Sequence, residues 1–304
     1  MKRPVKDIIR TAWQKGIVVP SLNIPHLPMM EPVINALHDA GSFGLIAVAR
    51  LEWIKFQAIS LKAIAGEYRK LKREDFTRLH LDHVPVIDED LKQVDYEAVI
   101  SEAIDLGYDS VMVDGSRLPF RLNAEATAKV VKMAHAAGIP AEAELGAILG
   151  HESGPLPSYE ELFSSGRGFT DPQEAEHFAA QTGVDWLSVA IGNIHGAISG
   201  AAKNAKKFEA RLNIERLRQL RDAAGIPLVL HGGSGIQQDY VLEAISNGIA
   251  KINVGTAIRQ PYEQNVARGI KSAQNAVYEA TLQILNNELR IGNSADILNP
   301  AESN

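Results

Sequence analysis

The sequence predicts an α/β protein in which eight parallel strands close into a (β/α)8 TIM barrel. Short β-branched runs alternate with longer amphipathic stretches along the whole chain, and no change in composition divides it. Polar residues recur where successive predicted strands end, as expected around the mouth of a barrel. A doubly wound open sheet is the alternative, but no G-x-G-x-x-G fingerprint follows the first strand.

We expect a single barrel domain over residues 1–304, with the barrel itself at about 17–260. The predicted strands lie at residues 17–23, 44–49, 78–82, 110–114, 140–144, 186–190, 227–230 and 251–254. Helical patterns lie at 28–40, 53–68, 96–106, 123–137, 172–181, 214–224 and 238–247. An extra N-terminal helix at 5–14 is predicted to close the barrel bottom. A C-terminal helical extension is expected at about 261–290, with one long helical tract at 262–289.

Several residues predict where helices begin and end. Asn123 and Asp171 have the pattern of N-caps, and Pro172 follows the second of them. Glycines after helical patterns predict C-terminal caps at Gly107, Gly138, Gly183, Gly225 and Gly248. Residues 146–169 and 196–212 lack a regular pattern and are predicted as long loops on the catalytic face, with a mobile stretch at 199–207. The tail at 295–304 is predicted to be poorly ordered.

Composition excludes several classes of function. The chain has 45% hydrophobic residues, a formal charge of −6 and no cysteine. The charge argues against nucleic acid as a partner, and the lack of cysteine excludes disulfides and thiolate metal sites. No apolar run is long enough to predict a membrane span or a signal peptide. A cytoplasmic enzyme is the expectation.

Histidines lie at or just after the ends of three predicted strands. They are His83, His195 and His231, and each has a glycine or an aspartate beside it. Three imidazoles converging over one barrel mouth predict a catalytic zinc site. Most of the other histidines are interpreted as surface residues; they are His26, His38, His80, His135, His151 and His177.

A glycine-rich turn follows the seventh predicted strand directly after His231. Its sequence is Gly232-Gly233-Ser234-Gly235. Backbone N–H groups in such a turn can hold a phosphate, and loops after strands seven and eight are the usual phosphate site of this barrel.

Ordered motifs give the chain a specific resemblance. They are Leu81-Asp82-His83, Ser110 to Ser116, Glu142-Ala143-Glu144-Leu145-Gly146, Val189 to Gly192 before His195-Gly196, His231 to Gly235, and Lys251 to Thr256. These motifs occur in the same order in the class II, zinc-dependent ketose-bisphosphate aldolases, which include fructose- and tagatose-bisphosphate aldolases. The chain resembles this family.

The resemblance implies a role for each matching residue. His83, His195 and His231 correspond to the zinc ligands, and Glu144 to a nearby carboxylate that serves as an alternative ligand. Asp82 corresponds to the acid that exchanges a proton with the oxygen on the aldehyde side, and Glu152 to the glutamate that handles the proton at the enediolate carbon. The positions that hold the phosphate of dihydroxyacetone phosphate correspond to Gly196, Gly232, Ser234, Asn253 and Thr256. A monovalent cation, Na⁺ or K⁺, near that phosphate is also implied.

Alternatives stay open for individual residues. Asp82 can instead be interpreted as a carboxylate that only orients a histidine. Glu152 can instead be interpreted as an ordinary solvated acid in a loop. Lys251 competes as a Schiff-base lysine, since alternation from Asn253 places it on the same face.

The sequence departs from the family pattern on the aldehyde side. Ala257 stands where relatives commonly carry an acid, and no serine occurs in the segment from Ala47 to Arg50. A C-terminal Asp-Pro-Arg segment is not evident near Pro261, and the loop after His195 lacks the usual Tyr-Lys. We hypothesise that the aldehyde differs from glyceraldehyde 3-phosphate and that Arg50 contacts an acidic one. The alternative is that Arg50 is a surface or ion-paired arginine.

The sequence therefore predicts a zinc-dependent aldolase that splits a ketose phosphate into dihydroxyacetone phosphate and an aldehyde. Two other readings remain, a non-catalytic sugar-phosphate-binding barrel and a metal-dependent hydrolase in which zinc activates water. The C-terminal helical extension offers an extra packing surface, so a homo-oligomer (a dimer or tetramer) is expected.

Overall fold

Eight parallel strands form a closed barrel in the computed structural model, which describes residues 3–146, 159–193, 210–233 and 236–300. Each strand pairs with the next along the chain, and the last pairs with the first, which confirms the predicted fold class. The strands are β1 Val19–Asn23, β2 Gly44–Val48, β3 Thr77–Pro85, β4 Ser110–Asp114, β5 Ala141–Leu145, β6 Trp186–Val189, β7 Leu228–Leu230 and β8 Ile249–Val254.

Helices surround this barrel. They are α1 Val5–Lys15, α2 Met30–Asp39, α3 Arg50–Lys55, α4 Leu61–Leu71, α5 Tyr96–Asp105, α6 Phe120–Ala136, α7 Tyr159–Ser165, α8 Pro172–Thr182, α9 Ile214–Ala224, α10 Gln238–Ser246, α11 Thr256–Asn265, α12 Ile270–Gln283 and α13 Ala295–Leu298. Among the described residues, none of these helices combines the length and apolar character needed to cross a membrane.

The two faces of each strand have different chemistry. In β3, Leu79 and Leu81 belong to the large apolar cluster between the strands and the outer helices. Because side chains alternate along a strand, Arg78, His80 and Asp82 face the barrel interior. All three are buried, so the interior at this strand is polar and ionisable.

Helix α1 closes the bottom of the barrel, as predicted. Its apolar face, with Ile8, Ile9 and Ala12, is fully buried. This face packs on Phe43, which precedes β2, and on side chains from several strands, namely Val19, Leu45, Trp186, Val229 and Ala250. The N-terminal helix therefore supplies the apolar floor for a barrel whose interior is largely polar.

The predicted helix at 53–68 is wrong, because the chain forms two helices there. Helix α3 ends at Lys55, and Ile59 has a left-handed backbone with φ of 73°. Ser60 then starts α4 as its N-cap, with its side chain accepting a hydrogen bond from the backbone of Ala63. The break places α3 directly after β2, at the carboxyl end of the barrel.

The predicted single tract at 262–289 is also divided. Helix α11 already begins at Thr256, and Gly269, with φ of 113°, separates it from α12. Only glycine adopts such a backbone without strain, so Gly269 permits the break between the two helices. The tract ends in a π-helical turn at Ile284–Glu288.

The cap predictions are mostly confirmed. The side chain of Asp171 accepts hydrogen bonds from the backbone of Gln173 and Glu174. The five predicted capping glycines all have positive φ. Asn123, however, lies inside α6 with its side chain buried, because the helix begins earlier at Phe120.

The C-terminal tail is more ordered than predicted. Helix α13 buries Ala295 and Leu298 in the barrel floor, and the Arg3 guanidinium donates to the carbonyl of Leu298 at 2.6 Å. Residues 301–304 lie outside the described part. The predicted loop at 146–169 contains the helix α7. Residues 147–158, which belong to this loop, lie outside the described part, and so do residues 194–209, which include most of the predicted loop at 196–212.

Shortening a buried apolar side chain of α1 should destabilise the protein. Ile9→Ala should lower the free energy of unfolding by about 2–5 kcal/mol, because it removes a fully buried side chain between α1 and the strands. Guanidinium titration measures this loss. Arg10→Ala, at an exposed position of the same helix, is the matched control and should change stability by about 0.5 kcal/mol or less. Equal effects of the two variants would contradict the role of α1 as the floor.

Candidate active site

An irregularity in β3 places two adjacent residues in the same site. The pairing of β3 with β4 shifts between Leu81 and Val84, and His83 has φ of 136°. In a regular strand, Asp82 and His83 would point to opposite faces. The bulge turns both side chains to the barrel mouth, at a backbone strain of about 1–3 kcal/mol.

His83, Glu144 and His231 form a group of potential metal ligands. One ligand atom from each lies within 4.8 Å of the others. Glu144 Oε2 is 3.2 Å from His231 Nδ1 and 3.7 Å from His83 Nε2. Imidazole nitrogens with a carboxylate oxygen are a donor set that Zn²⁺ takes, so these residues fit a zinc ion. His195 lies outside the described residues.

The far nitrogen of each imidazole faces another carboxylate. His83 Nδ1 lies 3.3 Å from Asp114, and His231 Nε2 lies 2.8 Å from Glu142. These partners leave His83 Nε2 and His231 Nδ1 directed at Glu144. Carboxylates behind the ligands fix the ring orientation and tautomer of histidines that bind metals.

The electrostatics of the group favour a cation. Burial alone would lower the pKa of His83, but Asp114 and Glu144 outweigh it and raise this pKa to about 10. The pKa of His231 is raised against burial by Glu142 and Glu144. The carboxylates around the two imidazoles thus favour positive charge in this group, which is the charge that a bound metal ion would supply.

Glu142 lies in the barrel interior and contacts three buried side chains. Its carboxylate accepts hydrogen bonds from Trp186 Nε1 at 2.6 Å and from Lys251 Nζ at 3.1 Å, besides contacting His231. Burial would raise the pKa of Glu142, but the charge of Lys251 and the hydrogen bond with His231 hold it well below its usual range. Lys251 is fully buried in this ion pair, which argues against a Schiff-base role.

The interpretation of His80 as a surface residue is wrong. Its side chain is fully buried in the barrel, with Nδ1 2.9 Å from Ser110 Oγ. Burial and the charge of Lys251 lower the pKa of His80 to about 4, so it is neutral at neutral pH. His80, Asp82 and Glu142 form a second acidic group, but there the Lys251 ammonium already provides the positive charge.

Asp82 is clamped by two amide side chains. Asn23 donates to Oδ2 at 2.8 Å, and Asn253 donates to the two oxygens at 2.9 and 3.0 Å. Burial would raise the pKa of Asp82, but the charge of Lys251, followed by those of His231 and His83, holds it far below its usual range. Asp82 is therefore an ionised, oriented carboxylate beside the ligand group.

Glu144 is positioned by a close contact between β4 and α6. Asn123 donates from its amide to the backbone carbonyl of Glu144 at 2.9 Å. A Cβ atom at Gly115 would lie 2.2 Å from Asn123 Oδ1, so only glycine permits this approach. Ser188 Oγ lies 3.3 Å from Glu144 Oε2 and further fixes the carboxylate.

A candidate phosphate cradle lies on the β7 and β8 side of the mouth. Gly232 has φ of 66°, and Thr256 is the first residue of α11, where backbone N–H groups have no partner within the helix. Asn253 lies at the same rim, with Oδ1 accepting from Lys251 at 2.6 Å. Of the other predicted site residues, Ser234, Gly196 and Glu152 lie outside the described part.

Residues 3–296 match the family model described as fructose-bisphosphate aldolase class-II. The chain belongs to this family. Members of the class II aldolase family are carbon–carbon lyases, so this aldolase is a carbon–carbon lyase, and the family is generally zinc-dependent.

Individual relatives agree over most of the chain. A fructose-bisphosphate aldolase from Staphylococcus epidermidis is 29% identical over 299 residues, covering 98% of this chain and 91% of that protein. A probable fructose-bisphosphate aldolase from Bacillus subtilis is 31% identical over 255 residues, covering 82% of this chain and 80% of that protein. The crystal structure of the YdjI aldolase from Escherichia coli K12 is similar with a TM-score of 0.74 and 27% identity, covering 96% of this chain and 99% of the other.

Arg50 has a partner on the neighbouring loop of the aldolase barrel. Its guanidinium forms an ion pair with Asp88, which follows β3. Lys55, on the same helix α3, pairs with Glu89 at 2.5 Å. The residue predicted to contact an acidic aldehyde thus lies at the mouth, but its charge is shared with a carboxylate.

Sequence analysis missed Glu52, which also belongs to this mouth. Its carboxylate accepts a hydrogen bond from the backbone of Ala49 at 2.8 Å. Glu52 is half-buried. Burial and the charge of Asp82 raise its pKa to about 8, against opposing contributions from Ala49, Asn23 and Arg259. An acid in a short helix has no sequence signature that marks it as functional.

The raised pKa of Glu52 predicts a pH dependence of stability. The folded protein holds this proton more tightly than the unfolded chain does, because its pKa is about 8 instead of 4.5. The resulting stabilisation is complete below about pH 4.5 and is lost as the pH rises to about 8. Glu52→Gln removes the titration, so its free energy of unfolding should rise relative to wild type over this interval.

Denaturant unfolding at several pH values measures this difference. Glu176→Gln, at an exposed position of α8, is the control. A difference between wild type and Glu52→Gln that stays constant from pH 4.5 to 8 would refute the raised pKa.

Proposed function

We propose that the protein is a zinc-dependent aldolase that reversibly cleaves a ketose phosphate into dihydroxyacetone phosphate and an aldehyde. The observation that carries this proposal is the convergence of His83, Glu144 and His231 beside the clamped carboxylate of Asp82. A hydrolase would need a water-activating metal, but family membership assigns carbon–carbon cleavage instead. A non-catalytic binding barrel would have no use for an ionised acid held next to metal ligands.

His83, His231 and His195 would hold the zinc ion, with Glu144 as the alternative ligand. When bound, zinc supplies positive charge that stabilises the enediolate oxygen left by carbon–carbon cleavage. Asp114 and Glu142 keep the two described imidazoles in the orientation that binding requires.

Asp82 acts on the aldehyde side of the bond. In cleavage, its carboxylate takes the proton from the hydroxyl on the carbon that becomes the aldehyde, while the electrons of the broken bond pass to the enediolate. In condensation, Asp82 returns this proton. Asn23 and Asn253 hold the carboxylate in place for both directions. Glu152 handles the proton at the enediolate carbon.

The phosphate of dihydroxyacetone phosphate would bind at the β7 and β8 loops. Gly232 and the first turn of α11 at Thr256 supply backbone N–H groups, together with Gly196 and Ser234. Asn253 links this cradle to Asp82. A monovalent cation, Na⁺ or K⁺, completes the proposed phosphate site. We also propose a homo-oligomer, a dimer or tetramer, acting in the cytoplasm.

Isotope exchange tests the proposed reaction. The zinc-loaded enzyme should exchange a carbon-bound hydrogen of dihydroxyacetone phosphate with solvent. Asp82→Asn should keep its zinc, and its rate of ketose phosphate cleavage should fall by about 10²–10⁴-fold, because the proton on the aldehyde side has no acceptor.

His231→Ala should lose zinc, measured by elemental analysis. His38→Ala, an exposed imidazole on α2, is the matched control and should retain it. Full zinc content in His231→Ala, or no exchange by the wild type, would refute the proposal.

The aldehyde partner is proposed to differ from glyceraldehyde 3-phosphate and to carry an acidic group that Arg50 contacts. Arg50→Met should lower kcat/KM for a carboxylated or sulfonated aldehyde by about tenfold or more, since a charge-assisted contact is lost. Condensation of dihydroxyacetone phosphate with a panel of aldehydes measures this. Lys55→Met, on the same helix and also ion-paired, is the control. Best turnover with glyceraldehyde 3-phosphate would remove the reason for this assignment.

A further inference from the structure

Asn193 lies in the segment that follows β6, and its buried side chain connects this segment with the residue after β7. The amide Nδ2 donates to the backbone carbonyl of His231 at 2.8 Å. The amide Oδ1 accepts from the backbone N–H of Ile191 at 2.9 Å. One side chain thus joins the segment after β6 to the backbone of a proposed zinc ligand.

The contact lies just beyond the point where the two strands are paired. The register of β6 with β7 ends at the pair Ser188 and Val229, and His231 follows two residues later. Ladder hydrogen bonds hold neighbouring parallel strands together along their paired residues. Where this pairing ends, the bond from Asn193 to the carbonyl of His231 continues the link between the two chain segments.

A local turn does not account for an amide at position 193. The bond from the backbone of Ile191 spans two residues and requires only an acceptor oxygen, which aspartate would also supply. The bond to His231 spans 38 residues and requires a donor. The same Nδ2 has a longer contact with the carbonyl of Val189 at 3.4 Å. The donor half of the side chain is therefore explained by the link to His231.

His231 is held at its ring and at its backbone by different residues. Its ring Nε2 lies 2.8 Å from Glu142, and its Nδ1 lies 3.2 Å from Glu144. The ring contact fixes the orientation of the imidazole, and the bond from Asn193 fixes the carbonyl of the same residue. A ligand that is already in place loses less conformational freedom when the metal binds, which increases affinity.

We propose that Asn193 is a positioning residue that raises zinc affinity by holding the backbone of His231 in the place that coordination requires. This inference rests on the proposed function, in which His231 is a zinc ligand. His195, a further proposed ligand, follows Asn193 by two residues in the sequence. The amide therefore anchors the described end of the segment that leads to this histidine.

Replacement by aspartate isolates the donor. Asn193→Asp keeps an acceptor for Ile191 but has no N–H for the carbonyl of His231. Asn213→Asp is the matched control, because Asn213 caps α9 by accepting from the backbone of Arg216 at 2.9 Å, a role that aspartate fills equally well. The backbone N–H of Asn213 donates to the carbonyl of Ile191, so both variants add one negative charge to the same region.

Zinc dissociation constants are measured on the zinc-free, full-length proteins by competition with a chelator, at a temperature where circular dichroism shows each protein to be folded. Asn193→Asp should bind zinc about tenfold or more weakly than Asn213→Asp, as expected for the loss of a contact that orients a ligand. Asn193→Leu, which adds no charge, should bind zinc about tenfold or more weakly than wild type. A purely structural role would lower the stability of the zinc-free variants but would leave zinc affinity of the folded protein unchanged.

The outcomes distinguish this inference from the proposed function. A smaller loss of zinc affinity in either folded Asn193 variant would overturn the positioning role. The proposed function would still stand if the wild type binds zinc and exchanges a hydrogen of dihydroxyacetone phosphate with solvent. Failure of the wild type to bind zinc would overturn both.

Discussion

The carboxylate of Glu142 connects three strands inside the barrel, and the geometry of the site depends on it. It binds Trp186 from β6, His231 from β7 and Lys251 from β8. Removing a carboxylate and an ammonium from water costs several kcal/mol for each ion, so the pair is stable only with these additional hydrogen bonds. With Glu142 in place, His231 presents its other nitrogen to the ligand group, and Lys251 reaches Asn253 and thereby Asp82. One buried anion thus orients both the ligand side and the proton-transfer side of the site.

Because the barrel interior is largely polar, most of the apolar burial that stabilises the fold lies outside the strands. The strands bury their apolar residues outward, against the ring of helices, and the inner space is filled by ionisable groups such as His80 and Lys251. At the lower end of the barrel, α1 and α13 complete a separate apolar cluster. The N-terminal helix and the last helix are therefore part of the barrel's closure, although neither belongs to the repeating β/α units.

The sequence predicted the architecture because its strongest signals are local. Apolar runs bounded by glycine or polar residues located every strand to within a few residues, and glycines with positive φ marked five helix ends. It also placed His83, Glu144 and His231 at one mouth, which the structure brings together. The errors arise where tertiary contacts prevail. Asn123 has the residue type of a cap but bonds to Glu144, and His80 is polar but buried by its strand register. Glu52 went unnoticed because only the fold places it near Asp82.

Asp82 and His83 are consecutive residues, and the bulge in β3 lets both serve the same site. Their Cα atoms are joined by a single trans peptide unit and so stay about 3.8 Å apart. The backbone positions that carry the acid proposed to move the proton and the imidazole proposed to hold the metal therefore cannot separate during turnover. Whatever rearrangement substrate binding causes in the surrounding segments, the spacing between these two attachment points is set by covalent bonds.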